Sequence, residues 1–271
     1  MRHRSVAGHW PLIGVCYLPP LLGYQQSPGI EALVEHALRD YETALRSGLD
    51  GILLENENDR PYSIKANEHQ IEAMEILAKA LVQAPGDLSV GVEFLINDPY
   101  ASLSVAQRSG AHFIRTDYYV DKMYREQYGV LEVDQQQFQS FRKEIGAEDI
   151  DILADVQVKY AKLLENEKPI SLSIKQSKEC HAYSSLISGE ATGQGPDLRD
   201  FQTAKKAHPS HPLYLGSGLD AINIAKYINC ADGAVVGTAI LTDQKFDFAK
   251  CQDLVESRDR LLEKNEDSLS R

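Results

Sequence analysis

The chain has 271 residues, 43% hydrophobic and 25% charged, which is globular composition with enough apolar matter for a sizeable core. Its 40 acidic against 28 basic side chains leave a formal charge of −12 and a pI near 5.1, which argues against a nucleic-acid partner or an anionic lipid surface. Cys16, Cys180, Cys230 and Cys251 form no C-x-x-C pair, and no run reaches the roughly 18 apolar residues of a membrane span. A zinc knuckle, a disulfide framework and a transmembrane protein all fit poorly, and the expectation is a soluble cytoplasmic protein.

The first ten residues, MRHRSVAGHW, are basic, but Pro11 and Pro19-Pro20 interrupt any apolar targeting region, so 1–10 reads as an arm. The first predicted strand is LIGVCYL, 12–18. A helix follows, with Ile30, Leu33, Val34, Ala37, Leu38, Tyr41 and Leu45 at helical spacing and Gly48 as its stop. The second strand is 51–56, with a helix after Asn67; the third is 88–97, with Asp98-Pro99 opening the next helix in the preferred cap-then-proline order. Strands at 112–119, 151–158 and 183–189 alternate with helices at 134–146, somewhere in 167–180, and at 197–207. The last two strands, 213–218 and 233–238, are followed by helices at 219–228 and 247–262. Eight β–α units at roughly 30-residue spacing require a parallel sheet, and that number suggests closure. The predicted fold is α/β, a (β/α)₈ TIM barrel over 11–262 with a charged tail at 263–271; an open doubly wound sheet is the alternative.

Two turns near the end share a pattern. Gly216-Ser217-Gly218 follows the seventh strand and Gly237-Thr238 the eighth. In a barrel of this kind these turns are neighbours on the C-terminal face, where main-chain N–H groups and a helix N-terminus converge on an anion. The predicted phosphate-binding residues are Ser217, Gly218, Gly237 and Thr238, joined by Thr192 and Gly193 from the loop after the sixth strand. The plainer alternative is two tight turns whose glycines serve backbone geometry alone.

Odd positions on strands two to five place Glu55, Glu93, Asn97, Arg115, Asp117 and Asp155 on one face together with Leu53 and Leu153. Taken as inward, that face gathers carboxylates at the mouth with Arg115 as their cation. The candidates for acid–base chemistry are Glu55, Asp117 and Asp155, oriented by Arg115. A divalent cation such as Mg²⁺ is compatible with the same carboxylates, and so is a purely structural ion-pair network. Lys159, just beyond strand five, is a candidate amine nucleophile or a charge that anchors substrate. His208 and His211 have metal-like spacing but lead into strand seven, on the face remote from chemistry. There is no G-x-S-x-G elbow, Walker motif or N-terminal G-x-G-x-x-G.

The segments PLIGVCYLPPLLG, GLDGILLENENDRPY, VGVEFLINDPYASLSVAQRSGAHFIRTD, ILADVQVKYA, ATGQGP and LGSGL…ADGAVVGTAI, in that order, resemble the BtpA/SgcQ family from about Pro11 to Ile240. The resemblance implies a TIM barrel related to phosphate-binding barrels. It implies roles in photosystem I biogenesis for one branch, and an association with sugar transport and metabolism for another. By position it singles out Glu55, Asn56, Asp59, Pro61, Asn97, Asp98, Arg115, Asp155 and Lys159, besides the phosphate-loop residues. This chain departs from the family pattern at Tyr17 and Tyr160, where His is expected, and at Glu93 and Asp117, where Asn is expected. Tyr17, Asn56, Glu93 and Asn97 are therefore the expected substrate contacts, in a mouth more acidic than the pattern.

The leading expectation is an enzyme, an isomerase, lyase or hydrolase, acting on a phosphorylated sugar or nucleotide. The alternative is a noncatalytic assembly factor with a vestigial ligand site. A homo-oligomer, most simply a dimer, is within expectation for a barrel of this size.

Overall fold

The computed structural model describes residues 9–165, 167–189 and 193–269. The strands in chain order are β1 (Leu12–Tyr17), β2 (Gly51–Glu55), β3 (Ser89–Glu93), β4 (Phe113–Thr116), β5 (Met123–Arg125), β6 (Gly129–Leu131) and β7 (Asp151–Val156). They continue with β8 (Lys162–Leu163), β9 (Ser184–Ile187), β10 (Leu213–Leu215), β11 (Gly233–Val236), β12 (Leu241–Thr242) and β13 (Lys245–Phe246). Eight of them close a parallel barrel in the order β1-β11-β10-β9-β7-β4-β3-β2. The fold is a TIM barrel, and the eight predicted strands are its eight staves. Around it lie α1 (Ile30–Ser47), α2 (Glu68–Gln83), α3 (Pro99–Ser109), α4 (Gln135–Glu144), α5 (Ile170–Glu179), α6 (Leu198–Ala207), the short α7 (Ile224–Tyr227) and α8 (Phe248–Leu269).

Local chemistry sets the helix ends. Gly48 closes α1 at φ 83°, where a side chain would be strained, and its N–H returns to Ala44 and Leu45. Asn67 and Gln70 exchange side-chain and backbone bonds in a capping box at the start of α2. Asp98 accepts from the Ala101 N–H, with Pro99 at the first helical position of α3.

Period-two alternation then fills the barrel. Ile13, Val15, Leu53, Phe113, Leu153, Leu186, Tyr214 and Val235 form the interior cluster, while the intervening residues pack against the helices. Gly91 makes room for Phe113, whose ring lies 2.1 Å from where a Cβ would stand. The interior is thus a packed core, and the mouth begins one layer above it, at Tyr17, Glu55, Glu93, Arg115 and Asp155.

Several strands end earlier than the apolar runs suggest, because side chains capture the main chain. β3 stops at Glu93: the Phe94 N–H donates to Ser102 Oγ and the Leu95 N–H to Asn56 Oδ1. Past Leu215 the chain forms no helix at 219. Asp220 Oδ1 accepts from the N–H groups of Ile222 and Asn223, and Asn223 donates to the Gly218 carbonyl, so the turn is built from side chains. α8, by contrast, continues through 263–269, the stretch that reads from charge alone as a tail. Trp10 is buried and its indole N–H donates to the Ala231 carbonyl at 2.9 Å, which fixes the last residue of the expected arm to the barrel. Beyond the staves, β6-β5-β8 form a small antiparallel sheet over the mouth and β12-β13 a two-residue ladder. Among the described residues no helix is long and apolar enough to cross a membrane.

Candidate active site

Arg115 is the centre of the mouth. Its Nε and Nη2 hold the Asp155 carboxylate at 2.8 and 3.1 Å, a bidentate clasp between β4 and β7. The same guanidinium lies 3.8 Å from Glu55 Oε2 and 3.7 Å from Glu93 Oε2, and Nη2 reaches the Gly216 carbonyl at 3.4 Å. Adjacent registers bring the acids together, since Glu55 is paired with Glu93 across β2 and β3. All four side chains are buried. One guanidinium cannot neutralise three carboxylates, so a proton must stay in the cluster.

Of the three carboxyls around Arg115, Glu93 is pushed hardest toward its protonated form. Burial pushes its carboxyl well above the ordinary range; Arg115 opposes this, while the Glu55 and Asp117 charges add to it. Burial raises Glu55 as well, against the pull of Arg115 and of the hydrogen bond from Glu93. Asp117, just past β4 and only partly exposed, is raised to about 7, by burial first and then by the Asp155 charge. A carboxyl poised there can give and take a proton at neutral pH. Tyr17 is pushed up to about 12, chiefly by burial and by Glu55, and its phenol pairs with the Thr238 side chain.

These groups border a cavity of about 550 Å³. Val15 and Val235 form its apolar base, beside Glu55, Glu93 and Arg115. Gly193, Gly216, Ser217, Gly218, Gly237 and Thr238, which follow β9, β10 and β11, line it, and so do Arg60, Arg125, Lys159 and Tyr160, which follow β2, β4 and β7. Of the residues expected from sequence, Tyr17, Glu55, Glu93, Arg115, Asp117, Lys159, Gly193, Ser217, Gly218, Gly237 and Thr238 meet on this one surface. Asp155 lies beneath it as the partner of Arg115.

The remainder are placed otherwise. Thr192 lies outside the described residues. Asn56 is not on the cavity wall: its amide donates to Asp59 and to the Leu95 carbonyl and accepts from the Leu95 N–H, which pins the loop after β3. Asn97 is buried in that same loop, because β3 ends four residues before it. Asp59 accepts from the Leu21 N–H and the Gln70 amide, and Asp98 caps α3, so both family-matched acids hold loops. Ser217 reaches the wall, but its hydroxyl accepts from the Gly189 N–H and donates to the Gln194 carbonyl. The helix whose dipole was expected to face the anion is only four residues long and begins at Ile224.

Glu57, Arg60, Tyr62, Arg125 and Asp220 line the cavity without having been singled out from the sequence. Arg60 pairs with Glu57 and stacks over Tyr62 at 4.3 Å. Glu57, Arg60 and Tyr62 could have been found in advance, by their place in the quoted segment GLDGILLENENDRPY; Arg125 stands on a strand absent from the periodic pattern.

The carboxylate cluster fits a divalent ion poorly. Its centre is filled by a guanidinium within 4 Å of three acids, and a second cation there would meet that charge directly. A separate buried group, Cys16, His36 and Asp40, brings three potential ligand atoms within 4.8 Å of one another outside the barrel. Arg39 supplies its cation, donating to Asp40 at 3.0 Å and lying 3.2 Å from His36 Nδ1. His208 and His211 lie at the far end: His211 Nε2 is 2.9 Å from Ser185 Oγ, and burial lowers its pKa to about 4.

A family model, that of the BtpA family, matches residues 8–260. The photosystem I biogenesis protein BtpA of Synechocystis is 32% identical over 237 residues, covering 86% of this chain and 80% of that one. An uncharacterised protein of Pyrococcus furiosus is 33% identical over 237 residues, covering 87% and 88%. Among solved structures, (S)-3-O-geranylgeranylglyceryl phosphate synthase from Thermoplasma acidophilum, in complex with its substrate sn-glycerol-1-phosphate, superposes with a TM-score of 0.60 at 17% identity, covering 93% of this chain and 94% of that one. A likeness at that identity shows the barrel alone.

Proposed function

The chain belongs to the BtpA family, and from that premise and the geometry of the mouth we propose an enzyme that moves a proton on a small phosphorylated metabolite. The observation that carries this reading is Asp117, a carboxyl raised to about 7 on the wall of a cavity that is also lined by Ser217, Gly218, Gly237 and Thr238. In the proposed mechanism the phosphate rests against Ser217–Gly218 and Gly237–Thr238, where main-chain N–H groups can approach an anion; the Gly216 N–H is held by the Ile187 carbonyl. Asp117 takes the proton from the substrate carbon or hydroxyl, and the protonated Glu93 donates to the oxygen that gains charge. Arg115 holds the Asp155 side chain in place, and burial together with the neighbouring Asp155 and Glu55 charges raises Asp117.

The test is thermal unfolding against sugar phosphates and nucleotides, each beside its unphosphorylated parent. A ligand at about 100 times its Kd adds about 2.7 kcal/mol, and each kcal/mol moves Tm by about 2–4 °C in a chain of this length. Stabilisation by the phosphorylated member only, lost in Thr238→Asp, supports the reading. Asp117→Asn is expected to keep that stabilisation and lose turnover. No shift from any phosphorylated compound overturns it.

A second reading, a noncatalytic assembly factor, has one observation in its favour besides the name of the Synechocystis relative. Tyr124 and Val130 face each other across β5 and β6, 43% and 49% exposed, an apolar pair open to a partner. If Tyr124→Ser with Val130→Ser abolishes a biological activity that Asp117→Asn leaves intact, the assembly reading prevails.

A further inference from the structure

We infer that the mouth takes a ligand with two anionic ends, the second held by Arg125 and Lys159 on the rim facing the glycine wall. The inference rests on the reading that the mouth binds phosphate and adds the class of ligand. In the closed strand order, β10 and β11 stand across the barrel from β3 and β4. Arg125 is carried by β5, the excursion that follows β4, and so stands across from the glycine wall; Lys159 follows β7, the stave next to β4. Both nevertheless line the same cavity as Gly216–Gly218.

Their partners set them apart from the other cations there. Arg115 is fully engaged by carboxylates, and Arg60 is occupied by Glu57. Among the described residues neither Arg125 nor Lys159 has an acidic partner within salt-bridge distance, in a chain with 40 acidic side chains against 28 basic ones. Arg125 lies over the Tyr128 ring at 5.3 Å, a contact that orients its guanidinium without neutralising it. A planar fork and an ammonium lining one cavity suit a terminal phosphate or carboxylate. Between the two ends lie Glu55, Glu93 and Asp117, acceptors and donors for a hydroxylated middle rather than a third anion. The volume of about 550 Å³ accommodates a ligand of that reach.

Graded series of short alkanediol bisphosphates, the matching monophosphates and the matching ω-phosphocarboxylates test this by calorimetry, with inorganic phosphate as the simplest probe. These scaffolds assume nothing about the carbon skeleton. At the best length the bisphosphate or the phosphocarboxylate is expected to bind at least about tenfold more tightly than the monophosphate; whichever does so names the second anion. The double variant Arg125→Met, Lys159→Met is expected to bring that ligand to the affinity of the monophosphate while moving the monophosphate less than about twofold. Each single variant should lose part of the preference, and melting curves check that all are folded. Equal affinity of doubly and singly anionic ligands at every length overturns the inference and leaves the phosphate reading standing, as does a preference the double variant retains. If inorganic phosphate and every monophosphate fail to bind, the phosphate reading falls and the subsite with it.

Discussion

At Arg115 three carboxylates lie within 4 Å of one guanidinium, and each must keep either a charge partner or a proton. Removing the cation by Arg115→Met leaves Asp155 and Glu55 buried and uncompensated, with an expected loss of about 3–5 kcal/mol in denaturant unfolding. Glu93→Gln should stay within about 1 kcal/mol, because burial already pushes the side chain it replaces toward the neutral form and the amide keeps the shape and a donor. Asp117 makes the pH dependence readable. Its carboxyl is raised to about 7 in the folded chain against an ordinary value of 3.8. The folded state therefore retains a proton that the unfolded chain releases from pH 4 upward. The associated stability is complete below about pH 4 and is lost as pH rises through about 7. Asp117→Asn should flatten that slope in melts between pH 4.5 and 8; an unchanged slope would place the proton elsewhere in the cluster.

Loops, more than strands, decide what reaches the cavity. The glycines after β9 and β10 read from sequence as one anion motif, yet the structure separates their duties. Gly218 has φ +75°, and a Cβ there would stand 2.1 Å from the Gln194 carbonyl carbon, whereas a Cβ on Gly193, at φ +79°, meets nothing within 4 Å. Gly218→Ala is thus expected to cost about 1–3 kcal/mol and to disturb the loop, against about 1 kcal/mol for Gly193→Ala, which carries only the left-handed penalty. Parallel urea titrations of the two variants would show the difference. The strands themselves were legible because an apolar run between caps and glycines needs no distant information. Asn56 and Asn97 lie off the cavity, and the Ser217 hydroxyl is engaged within the wall, for a related reason: alternation assigns a face, while the hydrogen bonds that divert a side chain come from residues tens of positions away, such as Leu95 for Asn56 and Gly189 for Ser217.

For the molecule as a whole, stability is expected to be uneven. The eight staves bury both faces, but β5, β6 and β8 have three, three and two residues and leave Tyr124 and Val130 in solvent. Amides of β5 and β6 should exchange with deuterium at least about tenfold faster than those of β1 and β2, through local opening of the small sheet. A ligand held by Arg125 should slow that exchange selectively; uniform protection across the small sheet and the staves without ligand would contradict this picture.

Sequence by itself determined the barrel, the eight strand positions, the caps of α2 and α3, and which residues of the charged mouth share a strand face; the interior cluster showed that this face points inward. Each of the features legible in the sequence depends on period, spacing or a neighbour a few residues away. The family was likewise readable from an ordered set of short segments. Only the tertiary structure decided which polar residues open onto the cavity, that Arg115 rather than a metal ion is the cation at the centre of the carboxylates, and that Arg125 arrives on the rim from a sheet with no periodic signature. Those outcomes depend on burial and on partners brought together by barrel closure, and pKa values and free charges exist only once that closure has removed water from some groups and left it to others.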